Sequence, residues 1–170
     1  MIAVIGCGNP NRRDDGAGPE TIRRLAGRLG GNPAVRLLDA GTDGMAVMFA
    51  ARGARTLIVI DACRSGSAPG AVFELGGAEL ERAHQPSLTL HDFRWEHALH
   101  AGRRMFAEAF PADVLVELIE AESTDFGLEL SPAVAVAVDT VADRVESLVR
   151  RRLATGAEVA SPLSISAGEP

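Results

Sequence analysis

The chain contains no lysine and no tyrosine; all 17 of its basic side chains are arginine. A P-loop lysine, a Schiff-base lysine, a lysine general base and a tyrosine acid or nucleophile are therefore excluded. Cysteine is nearly absent. Cys7 and Cys63 are too few for a disulfide framework, form no C-x-x-C pair for zinc, and are expected to be reduced. No apolar run reaches the roughly 18 residues that a membrane-crossing helix needs. The first residues already read as a strand, without a charged start or a small-residue cleavage site. No signal peptide is read there, and a cytoplasmic location is expected. Excess positive charge is missing too. The net charge of -6 argues against a nucleic-acid partner. The pairs Arg12-Arg13, Arg23-Arg24 and Arg103-Arg104 are scattered, and Arg150-Arg151-Arg152 closes a helix, where cations suit the dipole. There is no G-x-S-x-G elbow and no H-E-x-x-H.

What is present is an alternation of strands and helices. The 170 residues, 46% of them hydrophobic, suit one domain with a continuous core. That domain is expected over 1–153, with a disordered tail over 154–170, where the chain turns small, polar and unpatterned. Ile2 to Gly6 reads as a buried strand, and Ala17 to Leu29 as a helix with Ile22, Leu25, Ala26 and Leu29 on one face. Pro19 is tolerated in the first turn of that helix. Val35 to Leu38 is a second strand ending in Asp39, and a short apolar helix starts near Met45. Thr56 to Ile60, continuous and largely β-branched, is a strand covered on both faces. Ala71 to Leu75 is a weaker strand suited to an edge, and Gly76 to Leu90 is irregular. Trp95, Ala98, Leu99, Gly102, Met105 and Phe106 mark a helix face, and Val114 to Ile119 another strand. Ser131-Pro132 starts the last helix as cap residue and first-turn proline. The pattern implies an α/β fold, a three-layer α/β/α sandwich around a mostly parallel sheet.

In such a sheet ligands bind outside the carboxyl ends of the strands. Asp15 lies in the loop leaving the first strand, Asp39 ends the second, and Asp61 ends the central one. His91 precedes the helix that begins near Trp95. Two carboxylates and one imidazole at one sheet edge make a three-ligand set for a divalent transition metal with open positions. Asp14 or Asp15 could equally cap the first helix. Asp61 follows four aliphatics and is costly to bury unless paired. Cys63 beside a histidine is a weaker candidate nucleophile. A rival reading takes Gly6-Cys7-Gly8 as the start of a dinucleotide loop, with Asp39 as the ribose-binding acid. Against it, Asn11 stands where the third glycine belongs, and Asp14 and Asp15 would repel pyrophosphate.

Five segments in order resemble the hydrogenase maturation endopeptidases. They are Gly6-Cys7-Gly8-Asn9 with Asp14-Asp15-Gly16-Ala17-Gly18; Asp39-Ala40-Gly41-Thr42-Asp43-Gly44; Leu57-Ile58-Val59-Ile60-Asp61-Ala62 with Pro69-Gly70; Leu90-His91-Asp92; and Leu130-Ser131-Pro132. The resemblance spans about residues 1 to 150. It implies a sheet of about five strands. It also implies a peptidase that removes a C-terminal extension from the nickel-loaded precursor large subunit of a nickel–iron hydrogenase. Asp15, Asp61 and His91 would then contact nickel carried by the substrate, with no organic cofactor. The loop of Asp39, Gly41 and Thr42 would be a substrate-recognition surface. An aspartic-type endopeptidase, acting as a monomer on that precursor, is the expectation. A dinucleotide-binding enzyme and a non-catalytic assembly factor or metallochaperone of the same fold are the alternatives.

Overall fold

Alternating side chains of the central strands leave the sheet in opposite directions, and each face meets its own helical layer. The computed structural model describes residues 1–76, 79 and 94–159, the last four as backbone only. Five strands form one sheet: β1 (Ile2–Cys7), β2 (Val35–Gly41), β3 (Thr56–Cys63), β4 (Val72–Gly76) and β5 (Asp113–Glu120). Their order is β2-β1-β3-β5-β4. β1 pairs in parallel with β2 and β3, and β3 in parallel with β5. β4 pairs antiparallel with β5 at the edge. The helices are α1 (Ala17–Leu29), α2 (Gly44–Ala51), α3 (Trp95–Phe106) and α4 (Pro132–Val159). The expected three-layer, mostly parallel α/β architecture is the one observed.

On one face Ile2, Val4, Ile58, Ile60 and Ile119 pack with Ile22, Leu25 and Leu29 of α1 and with the valines of α4. On the other, Ile5, Leu57, Val59, Val114 and Val116 pack with Val47 and Met48 of α2 and with Trp95, Ala98 and Leu99 of α3. Each fully buried aliphatic of this kind contributes about 1.5–3 kcal/mol of transfer free energy. β1 and β3 carry apolar residues on both faces because both faces are covered. α2 starts where Asp43 accepts hydrogen bonds from the Met45 and Ala46 amides at 2.8 and 3.1 Å, an N-cap.

Three local expectations change. Met105, expected on the buried face of α3, is 63% exposed, while the next residue, Phe106, packs against the core at the helix end. Ser131 does not cap α4 through its hydroxyl. Its Oγ is buried without a partner among the described residues, while its amide donates to Asp14 at 2.6 Å. α4 also runs past residue 153 to Val159. Ala154 and Thr155 are helix-compatible, no proline intervenes, and Leu153 packs against the core. Residues 160–170, the rest of the expected tail, lie outside the described residues. No helix among the described residues is long and apolar enough to cross a membrane.

Candidate active site

The chain leaves β1 toward β2 on one side, then crosses to β3 on the other. The carboxyl ends of β1 and β3 therefore diverge into a crevice, the place where open α/β sheets bind ligands. Both strands deliver an aspartate there. Asp61 is on β3, two residues short of its end. Asp15 is on the single 3₁₀ turn, Arg13–Gly16, that links β1 to α1. Close packing depends on glycine at two points. A Cβ on Gly18 would collide with the carbonyl oxygens of Cys7 and Ile60, so α1 can seat directly on the strand ends. Gly8 has φ +122°, and a Cβ there would overlap the Asp15 carbonyl.

Asp61 is 2% exposed. Its Oδ1 accepts from the Ala62 amide at 2.8 Å, and its Oδ2 accepts from the indole N–H of Trp95 at 2.8 Å. The Arg94 guanidinium stands 3.6 Å from the same Oδ2. These partners answer the cost of burying a carboxylate between aliphatics. Burial pushes its pKa up to about 6; the Trp95 hydrogen bond, then Arg94 and the Ala62 amide, pull it down, and the nearby Asp15 charge adds to the rise. At neutral pH the group is mostly ionised. Asp61 and Asp15 share a cleft of about 460 Å³, whose walls include Arg12, Arg64, Arg94 and Trp95.

The two adjacent aspartates divide their roles. Asp15 turns toward the cleft and accepts from the Asn9 amide at 2.9 Å. Asp14 points inward and is fully buried. It accepts from the amides of Glu122 and Ser123 at 2.9 and 3.0 Å, and from Ser131 at 2.6 Å. It thus fastens the segment between β5 and α4 to the turn. Neither residue caps α1, whose cap position is Gly16 without a side-chain hydrogen bond.

Glu120, at the end of β5, organises the loop after β3. It accepts from the Ser65 and Gly66 amides at 2.9 Å and from the Ser65 hydroxyl at 2.7 Å. The Ser65 amide and hydroxyl and the Gly66 amide hold its carboxyl down, at about 2. The Cys63 thiol also donates to it, at 3.3 Å. Burial, together with that hydrogen bond and charge, pushes the Cys63 thiol up to about 12. That shift favours the thiol form of Cys63 at neutral pH and argues against it as a nucleophile. Cys7 is buried, and burial raises its pKa further still.

Of the residues singled out from sequence, Asp15 and Asp61 come together. Asp39 is exposed and opens instead into a second cavity, about 570 Å³, with Pro10, Arg13 and Leu128. Its Oδ1 accepts from the Gly41 amide at 2.9 Å, shaping the bulge that brings Gly41, with Thr42 after it, to the end of β2. His91 lies outside the described residues. Among the described residues no group of three potential ligands is gathered. Sequence reasoning passed over Trp95, Arg94 and Arg12. The single tryptophan was the available signal, because a buried indole needs an acceptor for its N–H.

The dinucleotide reading fails at the turn. A phosphate cradle needs free amides. Here the Gly8, Arg12, Arg13, Asp14 and Asp15 amides donate to carbonyls of the chain, and those of Asn9 and Asn11 to the side chains of Asp15 and Asn9. None from Gly8 to Asp15 is left for pyrophosphate, Pro10 having no N–H.

Comparison with known proteins agrees with this fold. Residues 19–148 match the model of a family described as hydrogenase maturation protease. The hydrogenase expression/formation protein HupM of Azotobacter chroococcum mcd 1 is 31% identical over 84% of this chain and 72% of its own. HupD of Rhodobacter capsulatus is 28% identical over 97% of this chain and 77% of its own. Among solved structures, the hydrogenase maturating endopeptidase HybD from E. coli superposes with a TM-score of 0.76 at 25% identity, covering 89% of this chain and 93% of that one. The [NiFe] hydrogenase maturation protease HybD from Thermococcus kodakarensis does so with a TM-score of 0.71 at 25% identity, over 87% and 98%. With a family match over most of its length and two carboxylates meeting at the β1–β3 crevice, the chain belongs to the hydrogenase maturation protease family.

Proposed function

We infer that this chain is the endopeptidase that removes the C-terminal extension from the precursor large subunit of a nickel–iron hydrogenase, working on the nickel-loaded form. The observation that carries this reading is the pairing of Asp15 and Asp61 in one cleft between the arginines of its walls. A mixed set of carboxylate oxygens and an imidazole nitrogen, Asp15 and Asp61 with His91, suits a divalent transition ion such as nickel. Among the described residues no third potential ligand is gathered with Asp15 and Asp61, so the chain's own site is incomplete there. An incomplete site suits a metal that arrives already ligated by the substrate. Asp15 and Asp61 would contact that ion, with His91 as the third donor, and the scissile peptide would lie beside it.

Nickel held by the substrate then supplies either polarisation of the scissile carbonyl or activation of a water. Alternatively it only docks the substrate, and a carboxylate serves as general base in the aspartic manner. Asp61 suits the latter role: it is ionised at neutral pH, yet basic enough to take a proton. Asp39, Gly41 and Thr42 would read the substrate from the neighbouring end of β2. No organic cofactor enters this scheme. A cytoplasmic monomer that accepts one large partner completes it.

The test is cleavage read by intact mass. Nickel-loaded and nickel-free precursor are each incubated with the wild-type protein and with Asp61→Asn. Loss of a C-terminal peptide only with nickel and only with wild type is expected. A precursor that binds and keeps its full mass would favour an assembly factor and overturn the reading.

A further inference from the structure

Between β5 and α4 the segment Glu122 to Leu130 crosses the carboxyl edge of the sheet with two large apolar side chains turned outward. Phe126 is 83% exposed and Leu128 77%. Exposed apolar groups of this size, standing together beside a cleft, mark a contact surface. The segment is also held firmly. Asp14 takes the amides of Glu122 and Ser123 from below, the Arg13 amide donates to the Gly127 carbonyl at 2.8 Å, and the Gly127 amide donates to the Asn11 carbonyl at 3.0 Å. Arg12 ties it to the catalytic cleft. Its Nε donates to the Thr124 carbonyl at 3.1 Å, and its guanidinium lies over the Phe126 ring at 5.4 Å. Arg12 and Thr124 both line the Asp15–Asp61 cleft, while Leu128 lines the second cavity with Asp39. The ridge thus borders both depressions, the Asp15–Asp61 cleft through Thr124 and the second cavity through Leu128, with Phe126 between them in sequence under the Arg12 guanidinium.

We propose that this ridge is a preformed seat for the stretch of precursor polypeptide flanking the scissile bond, which lies across it in extended form and packs its apolar side chains on Phe126 and Leu128. The proposal rests on the endopeptidase reading: a peptide bond brought to Asp15 and Asp61 must have chain on both sides of it, and the ridge is the wall over which that chain leaves the cleft. The fixed backbone lowers the ordering cost of binding. Aromatic side chains at such positions carry a large share of contact energy.

The test uses the nickel-loaded precursor and three variants: Phe126→Ala/Leu128→Ala, the apolar replacement Phe126→Leu/Leu128→Met, and Met105→Ser. Met105 is a similarly exposed apolar residue near the far end of α3 from Trp95. The alanine pair is expected to raise KM about tenfold, with kcat within twofold and an unchanged melting temperature. The apolar pair is expected to restore most of the loss, and Met105→Ser to change nothing. An unchanged KM for the alanine pair overturns the seat while leaving the endopeptidase reading intact. If the wild type cuts nothing, that reading falls, and direct binding of the same precursor decides the seat. Weaker binding by the alanine pair supports it, and equal or absent binding overturns it. A concentration-dependent dimer of the wild type, abolished in the alanine pair, also overturns it, because a second copy would then be the occupant.

Discussion

Trp95, the first residue of α3, donates its indole N–H to Oδ2 of Asp61 on β3 at 2.8 Å, joining a helix and a strand through one carboxylate. That bond opposes the burial that raises Asp61 to about 6. Trp95→Phe keeps the ring and removes the donor, so the carboxyl of the variant rises further. If Asp61 is the general base of the proposed reaction, the acid limb of kcat/KM should therefore lie at higher pH in the variant than in the wild type. A limb that stays in place in the variant would show that the indole does not set the state of Asp61.

Trp95 is also the only tryptophan. Its emission therefore reports on Asp61 without labelling. Nickel added to the wild-type protein is expected to quench that emission weakly and reversibly, at concentrations well above those of a resident metal. Asp61→Asn should abolish the effect. Quenching of equal depth in Asp61→Asn would place the ion elsewhere.

Asp14 carries a structural load that its neighbour does not. Asp14→Asn can keep an acceptor oxygen for the Glu122 and Ser123 amides but then sets its NH2 against the Ser131 amide, and leaving a buried donor unpaired costs about 1–3 kcal/mol. For a chain of this length the melting temperature should fall by roughly 2–4 °C for each kcal/mol lost. Asp15→Asn breaks one bond in a half-buried setting and should hardly move it. Thermal unfolding of the two variants side by side separates them, and equal melting temperatures would refute the division of roles.

Glu117 faces Glu74 across the β4–β5 pairing, with Arg144 at 3.3 Å from one of its oxygens and no partner among the described residues for the other. Burial raises it to about 7, Arg144 working against the rise and Glu74 with it. A carboxyl whose folded pKa exceeds its unfolded one holds its proton more tightly when folded. Its contribution is full below the unfolded value of 4.5 and is lost as pH climbs through about 7. Glu117→Gln removes that loss. The melting temperature of the variant minus that of the wild type should become more positive from pH 5 to pH 8, and a flat difference would contradict the assignment.

Cys63 lines the Asp15–Asp61 cleft as a hydrogen-bonded thiol. Cys63→Ala should retain cleavage within a few-fold, and wild type should react slowly with iodoacetamide at pH 7.5. Rapid alkylation with loss of activity would restore Cys63 as a nucleophile.

The layers, the five strands and the pairing of Asp15 with Asp61 were legible in the sequence because they follow from continuous apolar runs, helical faces and charges at strand ends. Ile58, Ile60, Leu57 and Val59 announce a strand with two covered faces. The capping of α4 was not legible, since the Ser131 amide is claimed by Asp14, more than a hundred residues earlier. Nor was the role of Glu120, whose partners lie on the loop after β3. Adjacent in sequence, Asp14 and Asp15 looked interchangeable; only the burial of the first and the cleft at the second tell them apart. His91, the third residue of the expected set, lies outside the described residues.

Two consecutive carboxylates look in opposite directions, one into the protein and one into the cleft. Insertion or deletion of a single residue between Gly8 and Asp14 would rotate the wrong acid into each place, stripping the anchor and blunting the cleft at one stroke. The length of this turn therefore behaves as a reading frame for its two acids.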